Sequence, residues 1–399
     1  MLRAAVFLTF ASAVAVLFSI AAGQILLALA LVALLLSGAS LRLPPVWLPL
    51  GILLLLTLVS LAASPDPAGG LPQVRKFFVL TVLLVAFSLL RDITLIRRLA
   101  LCWAAAGAVG ALRALVQFGA RVSEASALGK GFYEHYVGQR ITGFLGHWMT
   151  FSGVLMLVLL FLAAFLLFSP ARSKGFGLWM LCGVLMSAAL ILGFTRSIWL
   201  ATAVGALYLA WFRKRWLVAA VPLVALLALL LAPDSLRHRA LSIIRPDLRL
   251  DSNVHRIVTW RTGLRMVAAH PWLGLGPEQV KVQFQKFVPD DAPRPLPVGW
   301  YGHLHNIYLH YAAERGIPAT LALVWALLKM LYDFTRALKS LPAGPGDRRF
   351  VLHGSVAAVL AIMTGGLFEL NLGDSEVLTV FLVIASCGYV AAAQEPEHV

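Results

Sequence analysis

Long hydrophobic runs separated by short polar loops recur along the whole chain. Most of these runs contain roughly 15 to 22 residues, and about 20 residues are enough for an α-helix to cross a bilayer. The runs lie near 4–22, 24–39, 46–64, 77–90, 99–119, 149–168, 176–193, 197–212, 216–232, 305–332, 351–369 and 377–393. The pattern therefore predicts an all-α polytopic membrane protein with about 12 transmembrane helices.

Basic residues in the short loops indicate how these helices are oriented. One set of alternate loops carries arginine and lysine: 91–98, 172–174, 213–215 and 336–349. The loop 370–376, from the other set, contains no basic residue and two acidic ones. Because short loops rich in lysine and arginine stay in the cytoplasm, we expect both termini there. The longest hydrophilic segment, 233–304, then faces outward as an insertion into a single integral membrane domain, 1–399.

The composition agrees with a membrane protein. Hydrophobic residues make up 60% of the chain and charged residues 13%, whereas a soluble domain is about half apolar and a quarter charged. The net charge of +15 would also suit a nucleic-acid-binding protein, but the charges lie in short loops rather than in a tail or stripe. We therefore expect membrane lipids, and no nucleic acid, among the partners. The three cysteines lie in hydrophobic runs without metal-ligand spacing, which predicts a packing role.

Polar and ionisable residues crowd the start of the run 305–332. They are His303, His305, Asn306, His310, Glu314 and Arg315. Ionisable groups at membrane depth are expensive and usually mark a functional site. On a helical wheel, His303, Asn306 and Glu314 share one polar face. We expect a helix that enters the membrane with a neutral histidine at its positive N-terminal end, where the imidazole can act as a base. Anchoring of histidine and tyrosine at the headgroup level is the alternative.

Two further polar clusters precede hydrophobic runs on the side predicted to face outward. Arg140 and His147 lie in a glycine-containing segment just before the run 149–168, and Arg196 lies between two runs with almost no loop. Glycine permits close approach of the backbone, and a guanidinium group matches the oxygens of an anionic head group. We expect these residues to bind an anionic ligand. For Arg196 the alternative is a side chain that snorkels to the membrane surface.

The outward segment 233–304 is rich in arginine, a residue that short outward loops disfavour. Within it, 254–269 has the pattern of an amphipathic helix that carries Arg256 and, at i, i+4 spacing on one face, Arg261 and Arg265. His270-Pro271 should end this helix, because the residue before proline disfavours the helical conformation. These arginines predict a polyphosphate or anionic lipid ligand, and a solvated loop surface is the alternative.

The polar residues and their glycine neighbours form short motifs. They read Arg140-x-x-Gly143-x-x-Gly146-His147, Thr195-Arg196-Ser197, Trp260-Arg261-x-Gly263-x-x-Met266, His270-Pro271-Trp272-Leu273-Gly274-x-Gly276, His303-x-His305-Asn306-x-Tyr308-Leu309 and Glu314-x-Gly316. Arg265 and Gly276 also fit a pattern of an arginine and a glycine separated by ten residues. Over about 140–320 the chain resembles the O-antigen ligase and polymerase superfamily of bacterial envelope glycosyltransferases.

The resemblance implies a multi-pass protein of the bacterial inner membrane with its active site facing the periplasm. Such proteins use a glycan linked to a lipid diphosphate as donor. The resemblance therefore implies an O-antigen ligase that transfers a glycan from undecaprenyl diphosphate to the lipid A-core oligosaccharide. It also implies that the reaction needs no metal, cofactor or nucleotide sugar.

The chemistry of such a transfer suggests a role for each candidate residue. A neutral histidine can take the proton of the acceptor hydroxyl; His303 is preferred because of its predicted polar face, and His305 is nearly as good. Direct attack inverts the anomeric carbon, since no nucleophilic carboxylate is evident. Arginines stabilise the diphosphate leaving group, with Arg265 as the first candidate. The residues assigned to substrate binding are Arg140, Arg196, Arg256, Arg261, His147, Asn306 and Glu314.

Three other functions are compatible with parts of the pattern. An O-antigen polymerase would use the same donor with a lipid-linked acceptor. A protein O-oligosaccharyltransferase often has a large additional C-terminal periplasmic part, whereas here the sequence ends soon after the last run. A secondary transporter would suit the number of spans, but no internal repeat is visible and the polar residues lie at one face rather than at the midplane. The sugars of the donor, the acceptor hydroxyl and the oligomeric state stay open.

Overall fold

The computed structural model describes residues 1–169, 175–216, 252–342 and 344–393, together with Asp234–Leu241 and residues 218, 219, 222, 223, 226, 227 and 230. Throughout this part of the chain the regular structure is helical, as the hydrophobic pattern predicts. Most of the predicted run 216–232 lies outside the described residues. So do the basic loop residues 172 and 174 and the segment 242–251 of the predicted outward loop.

We number the described α-helices in chain order. They are α1 (Leu2–Ala15), α2 (Ile20–Leu36), α3 (Trp47–Ala62), α4 (Pro67–Arg75), α5 (Thr81–Leu89), α6 (Ile93–Ala127), α7 (Phe132–Val137), α8 (Trp148–Phe168), α9 (Phe176–Leu192), α10 (Arg196–Arg213), α11 (Asp234–Leu241), α12 (Ser252–Ala269), α13 (Gln279–Phe287), α14 (Ile307–Lys339), α15 (Asp347–Gly366) and α16 (Ser375–Ala393). Two short 3-10 helices, Lys76–Leu80 and Asn371–Gly373, precede α5 and α16. The helix predicted at 254–269 is confirmed as α12, and it ends before His270-Pro271 as expected. Its predicted amphipathic pattern is wrong, because Ile257 and Leu264 are 54% and 60% exposed.

Six helical segments in the described residues are long and apolar enough to cross a membrane, judged by length and composition. They are Pro67–Leu89, Ile93–Ala127, Trp148–Phe168, Ile307–Lys339, Asp347–Gly366 and Ser375–Ala393. Four shorter apolar helices, α1, α2, α3 and α9, accompany them. The multi-pass class is therefore confirmed. The exact number of 12 transmembrane helices and the periplasmic placement of 233–304 stay predictions.

The core of the bundle is built around α15, which packs against α8, α10, α14 and α16. Small residues make this close packing possible. A Cβ atom on Gly354 would lie 2.6 Å from the Phe161 ring, and one on Gly205 would lie 2.7 Å from the Leu160 side chain. In a lipid environment, where burial of apolar surface does not drive helices together, such small-residue contacts allow backbones to approach and gain dispersion energy.

Polar side chains cap the first turns of several helices. Asp66 and Asp92 accept hydrogen bonds from backbone N–H groups at the starts of α4 and α6. His147 Nδ1 accepts from Met149 N at 3.2 Å, and Asn306 Oδ1 accepts from Leu309 N at 2.9 Å. These caps satisfy N–H groups that have no intrahelical partner. Two of the predicted site residues, His147 and Asn306, thus also define where α8 and α14 begin.

The helix α14 is broken one-third of the way along its length. Gly316 has φ 83° and ψ 167°, outside the helical region, and Pro318 follows in the next turn. Glycine and proline this close together in the sequence predict an interruption of the helix, and the structure confirms it. A break frees backbone N–H and C=O groups, which need new partners when they are buried.

The turn 270–276, which contains the Trp-Leu-Gly-Leu-Gly sequence, provides these partners. Leu275 N donates to Ala313 O at 2.8 Å, and Gly276 N donates to Glu314 O at 2.9 Å. In the opposite direction, Ile317 N donates to Pro271 O at 2.8 Å. The turn therefore clamps the break through backbone hydrogen bonds and holds the outer part of α14 against α12.

We expect Gly274→Ala to destabilise the protein by about 3 kcal/mol. Gly274 has φ +68°, and an added Cβ would lie 2.3 Å from the backbone carbon of Glu314. Gly38 is a matched control because it has φ +66° with nothing within 4 Å, so Gly38→Ala should cost only the backbone strain, about 1 kcal/mol. Unfolding of the purified variants in detergent measures both losses. Equal losses would mean that the turn and the break are not tightly packed.

Candidate functional site

A polar cavity of about 740 Å³ lies where α8, α10, α12 and α14 begin. The segment between α15 and α16 completes its wall. Seven of the predicted site residues line the cavity: Arg140, His147, Arg196, Arg256, His303, His305 and Glu314. The expectation that residues far apart in sequence meet at one end of the bundle therefore agrees with their placement in the structure.

His303 and His305 lie in the loop immediately before α14. The helix begins at Ile307 with Asn306 as its cap, so the predicted helical face that joined His303, Asn306 and Glu314 is wrong. The Asn306 side chain accepts from Leu309 N and donates to Leu367 O at 3.0 Å. It therefore fixes the start of the helix, and it does not line the cavity. His305 has φ 48°, and this backbone turn places its ring 4.1 Å from the ring of His303.

Glu369 is a central site residue that the sequence did not suggest. It is 5% exposed and follows α15. Its Oε1 accepts hydrogen bonds from Arg256 and, at 3.3 Å, from Ser197 Oγ, while its Oε2 lies 3.3 Å from His305 Nδ1. The signal that could have identified it is a single carboxylate at the end of the hydrophobic run 351–369, because ionisable groups in such runs usually have a function.

Burial and charge set the protonation of this cluster. Burial, followed by the neighbouring His305, lowers the pKa of His303 to about 3. Burial and His305 likewise lower the pKa of His255, on α12, to about 4. Burial by itself raises the pKa of Glu369, but the Arg256 charge and the His305 hydrogen bond outweigh it, and the net shift is downward. At neutral pH the site therefore holds two neutral imidazoles beside an ionised carboxylate.

Both ring nitrogens of His305 face acceptor oxygens. Nδ1 lies 3.3 Å from Glu369 Oε2, and Nε2 lies 3.4 Å from Trp300 O. A neutral imidazole has one N–H donor and a doubly protonated one has two. The neutral ring can therefore donate to Glu369 through Nδ1–H and keep a lone pair on Nε2, which is the group that a general base needs.

Three arginines approach the cavity from separate segments. Arg140 donates to Val137 O at 3.1 Å, and its guanidinium lies 5.2 Å from the Trp148 ring centroid. Arg196, the buried first residue of α10, donates to Asn253 Oδ1 at 2.9 Å. The Arg256 side chain is 17% exposed and is held by the buried carboxylate already described. Together they place fork-shaped, permanently charged donors around a space that can hold an anion.

In the described residues, no three His, Cys, Asp or Glu side chains are grouped as a metal site.

Arg261 and Arg265 lie outside the cavity lining. Both side chains are 48% exposed on one face of α12, as the i, i+4 spacing predicts. Arg261 is paired with Asp291 at 2.8 Å, and Arg265 is 3.8 Å from Asp290. The aspartates belong to the proline-rich loop after α13. A role for either arginine at a leaving group stays a prediction, and it requires the side chain to exchange its aspartate for the substrate.

Glu314 lies at the inner end of the cavity, on the part of α14 before the break. It is 2% exposed, and its Oε2 lies 3.5 Å from His310 Nε2 and 3.4 Å from Arg315 Nη1. The Arg315 guanidinium stacks on the Tyr311 ring at 4.2 Å. Charges buried to this depth persist only when they are paired. Glu314 therefore closes the inner end of the cavity together with His310 and Arg315. The position of this cluster depends on the clamped break that follows it in α14.

Part of this chain is similar to a known protein family. Residues 181–324 match the family model described as O-Antigen ligase. The matched segment contains Arg196, all of α12 and the loop with His303 and His305, whereas Arg140, His147 and Glu369 lie outside it. No curated protein matches the chain in a sequence search.

Proposed function

We propose that this chain, whose residues 181–324 match the O-antigen ligase family model, transfers an O-antigen glycan to the lipid A-core oligosaccharide. The donor is the glycan linked to undecaprenyl diphosphate, and the reaction takes place at the periplasmic face of the inner membrane. One observation carries the proposal: a single cavity joins the His305–Glu369 pair to Arg140, Arg196 and Arg256. A proton acceptor and an anion-binding wall are the two groups that this transfer needs.

The arginine wall stabilises the leaving group. When the bond between the anomeric carbon and the diphosphate oxygen breaks, the electron pair stays on the diphosphate, whose negative charge increases. Guanidinium groups that are already in place can bind this charge without reorganisation, and each such donor typically contributes about 10² to 10³ in rate. Their planar fork matches two phosphate oxygens at once.

We assign the proton-accepting step to His305. With its Nδ1–H donated to Glu369, the ring presents the Nε2 lone pair to the acceptor hydroxyl. As the hydroxyl oxygen attacks the anomeric carbon, its proton moves to Nε2, and the Glu369 carboxylate stabilises the resulting imidazolium through Nδ1–H. His303 is less suited, because a pKa of about 3 makes it a weak proton acceptor at neutral pH. A single displacement inverts the anomeric centre.

The identity of the acceptor distinguishes ligase from polymerase. Purified full-length protein is incubated with lipid-linked glycan and lipid A-core oligosaccharide, and the products are separated by gel electrophoresis and mass spectrometry. We expect the lipid A-core to gain the glycan while undecaprenyl diphosphate is released. Growth of the lipid-linked glycan alone would assign the protein as a polymerase, and no transfer to either acceptor would contradict both functions.

His305→Ala should lower kcat by about 10²- to 10⁴-fold, the usual contribution of a general base. His303→Ala is the matched control, since it removes the neighbouring imidazole from the same loop, and it should have a smaller effect. Glu369→Gln keeps the shape of the side chain but removes the charge that orients His305 and Arg256, so we expect a loss in kcat there too. Transfer rates are measured on variants with unchanged membrane expression. The opposite order of the two histidine variants would place the base at His303.

Arg140→Ala should lower kcat by about 100-fold or more, and Arg140→Lys should recover little, because lysine lacks the bidentate fork. Arg265→Ala removes the same group from a half-exposed position outside the cavity, and we expect it to have the smaller effect. Thermal melting in detergent checks that each variant is folded. Full transfer by Arg140→Ala would exclude this arginine from the leaving-group site. Equal losses would show that Arg265 turns from Asp290 to the substrate.

A further inference from the structure

A second cavity lies at the opposite end of the bundle. It has a volume of about 510 Å³ and is lined by the last turns of α14 and α16 and the first turn of α15. The catalytic cavity lies at the start of α14, which has 33 residues. At about 1.5 Å per residue this helix is longer than the hydrocarbon core of a bilayer, even with its break. The two cavities therefore face opposite sides of the membrane.

Guanidinium groups give the second cavity a positive wall. Arg336 and Arg348 line it, and Arg348 is oriented by a hydrogen bond from its Nε to Ala391 O at 3.0 Å. Arg42 stands beside this wall, 5.4 Å from the ring centroid of Phe87. Arg336 forms no ion pair with any described residue. Arg336 therefore leaves room for an anionic group.

The one acidic residue among the lining residues is already neutralised. Asp333 accepts hydrogen bonds from Lys329 Nζ at 2.9 Å and from the hydroxyl of Tyr389 at 3.0 Å. Its charge is thus balanced by the lysine, four residues earlier on the same helix. The field inside the cavity is set by the arginines.

The remaining walls are apolar, which indicates the kind of anion. Phe87, Pro45 and Leu341 line the cavity. The connection between α2 and α3 beside it carries Leu41 and Leu43, which are 46% and 59% exposed on either side of Arg42. A free anion would gain nothing from these surfaces, whereas a phospholipid buries its acyl chains against them and places its phosphate at the arginines.

We propose that this cavity binds the head group of an anionic phospholipid, with Arg336 and Arg348 as its phosphate ligands. The site is independent of the proposed transferase activity, because it lies at the other end of α14 and shares no residue with the catalytic cavity.

Native mass spectrometry of the purified, delipidated full-length protein tests the proposal. The probes are dioleoylphosphatidylglycerol, the zwitterionic dioleoylphosphatidylcholine and inorganic phosphate. We expect phosphatidylglycerol to bind with a resolved stoichiometry, and the double variant Arg336→Gln/Arg348→Gln to bind it about 30-fold more weakly, from the contribution of two cations near a membrane surface. The double variant Arg98→Gln/Arg213→Gln is the matched control, because it removes two exposed arginines that line neither cavity.

Three results would overturn the proposal. Equal weakening in both double variants would mean that binding depends on overall charge rather than on this cavity. Equal binding of phosphatidylcholine would remove the anionic requirement, and displacement of the lipid by inorganic phosphate at similar concentration would identify a soluble anion as the ligand. If the double variant does not fold, the single variant Arg336→Gln, at an exposed position, makes the same comparison with Arg213→Gln.

Discussion

The buried carboxylate of Glu369 is the interaction on which the catalytic cavity depends. It connects α10 through Ser197, α12 through Arg256 and the loop before α14 through His305. A carboxylate at 5% exposure is stable only because these donors replace its water, and removal of one partner from a buried pair typically costs about 3 to 5 kcal/mol. The same group that holds the segments together also orients the imidazole. The packing of these segments and the proposed proton transfer therefore depend on the same side chain.

The clamped break in α14 provides the second constraint. The turn 270–276 forms hydrogen bonds with backbone groups on both sides of Gly316. A Cβ atom on Gly274 would enter the opposing backbone at Glu314, and one on Gly276 would clash with the Ser64 side chain. The motif His270-Pro271-Trp272-Leu273-Gly274 thus acts through backbone hydrogen bonds, although it directly follows the candidate site residues of α12. It positions the buried Glu314 cluster and, through the start of the helix, the histidine loop.

The sequence predicted those features of the structure that depend on residues close together in the chain. Hydrophobic length indicates the helices, the i, i+4 arginines indicate α12, and Gly316 with Pro318 indicates the break. The helical face assigned to His303 was wrong because the cap at Asn306 starts the helix three residues later. The contact of Glu369 with Arg256 and the pairing of Arg265 with Asp290 could not be predicted, since both join segments that are distant in the sequence.

The long sequence separation within the Glu369 network has a consequence for biosynthesis. Arg256 and His305 precede their carboxylate partner by 113 and 64 residues. A chain emerging from the ribosome therefore inserts both groups before the residue that neutralises and orients them has been made. Until α15 is in place, the half-assembled site carries an uncompensated arginine. A chain that ends before Glu369 therefore lacks the carboxylate that pairs with Arg256 and orients His305.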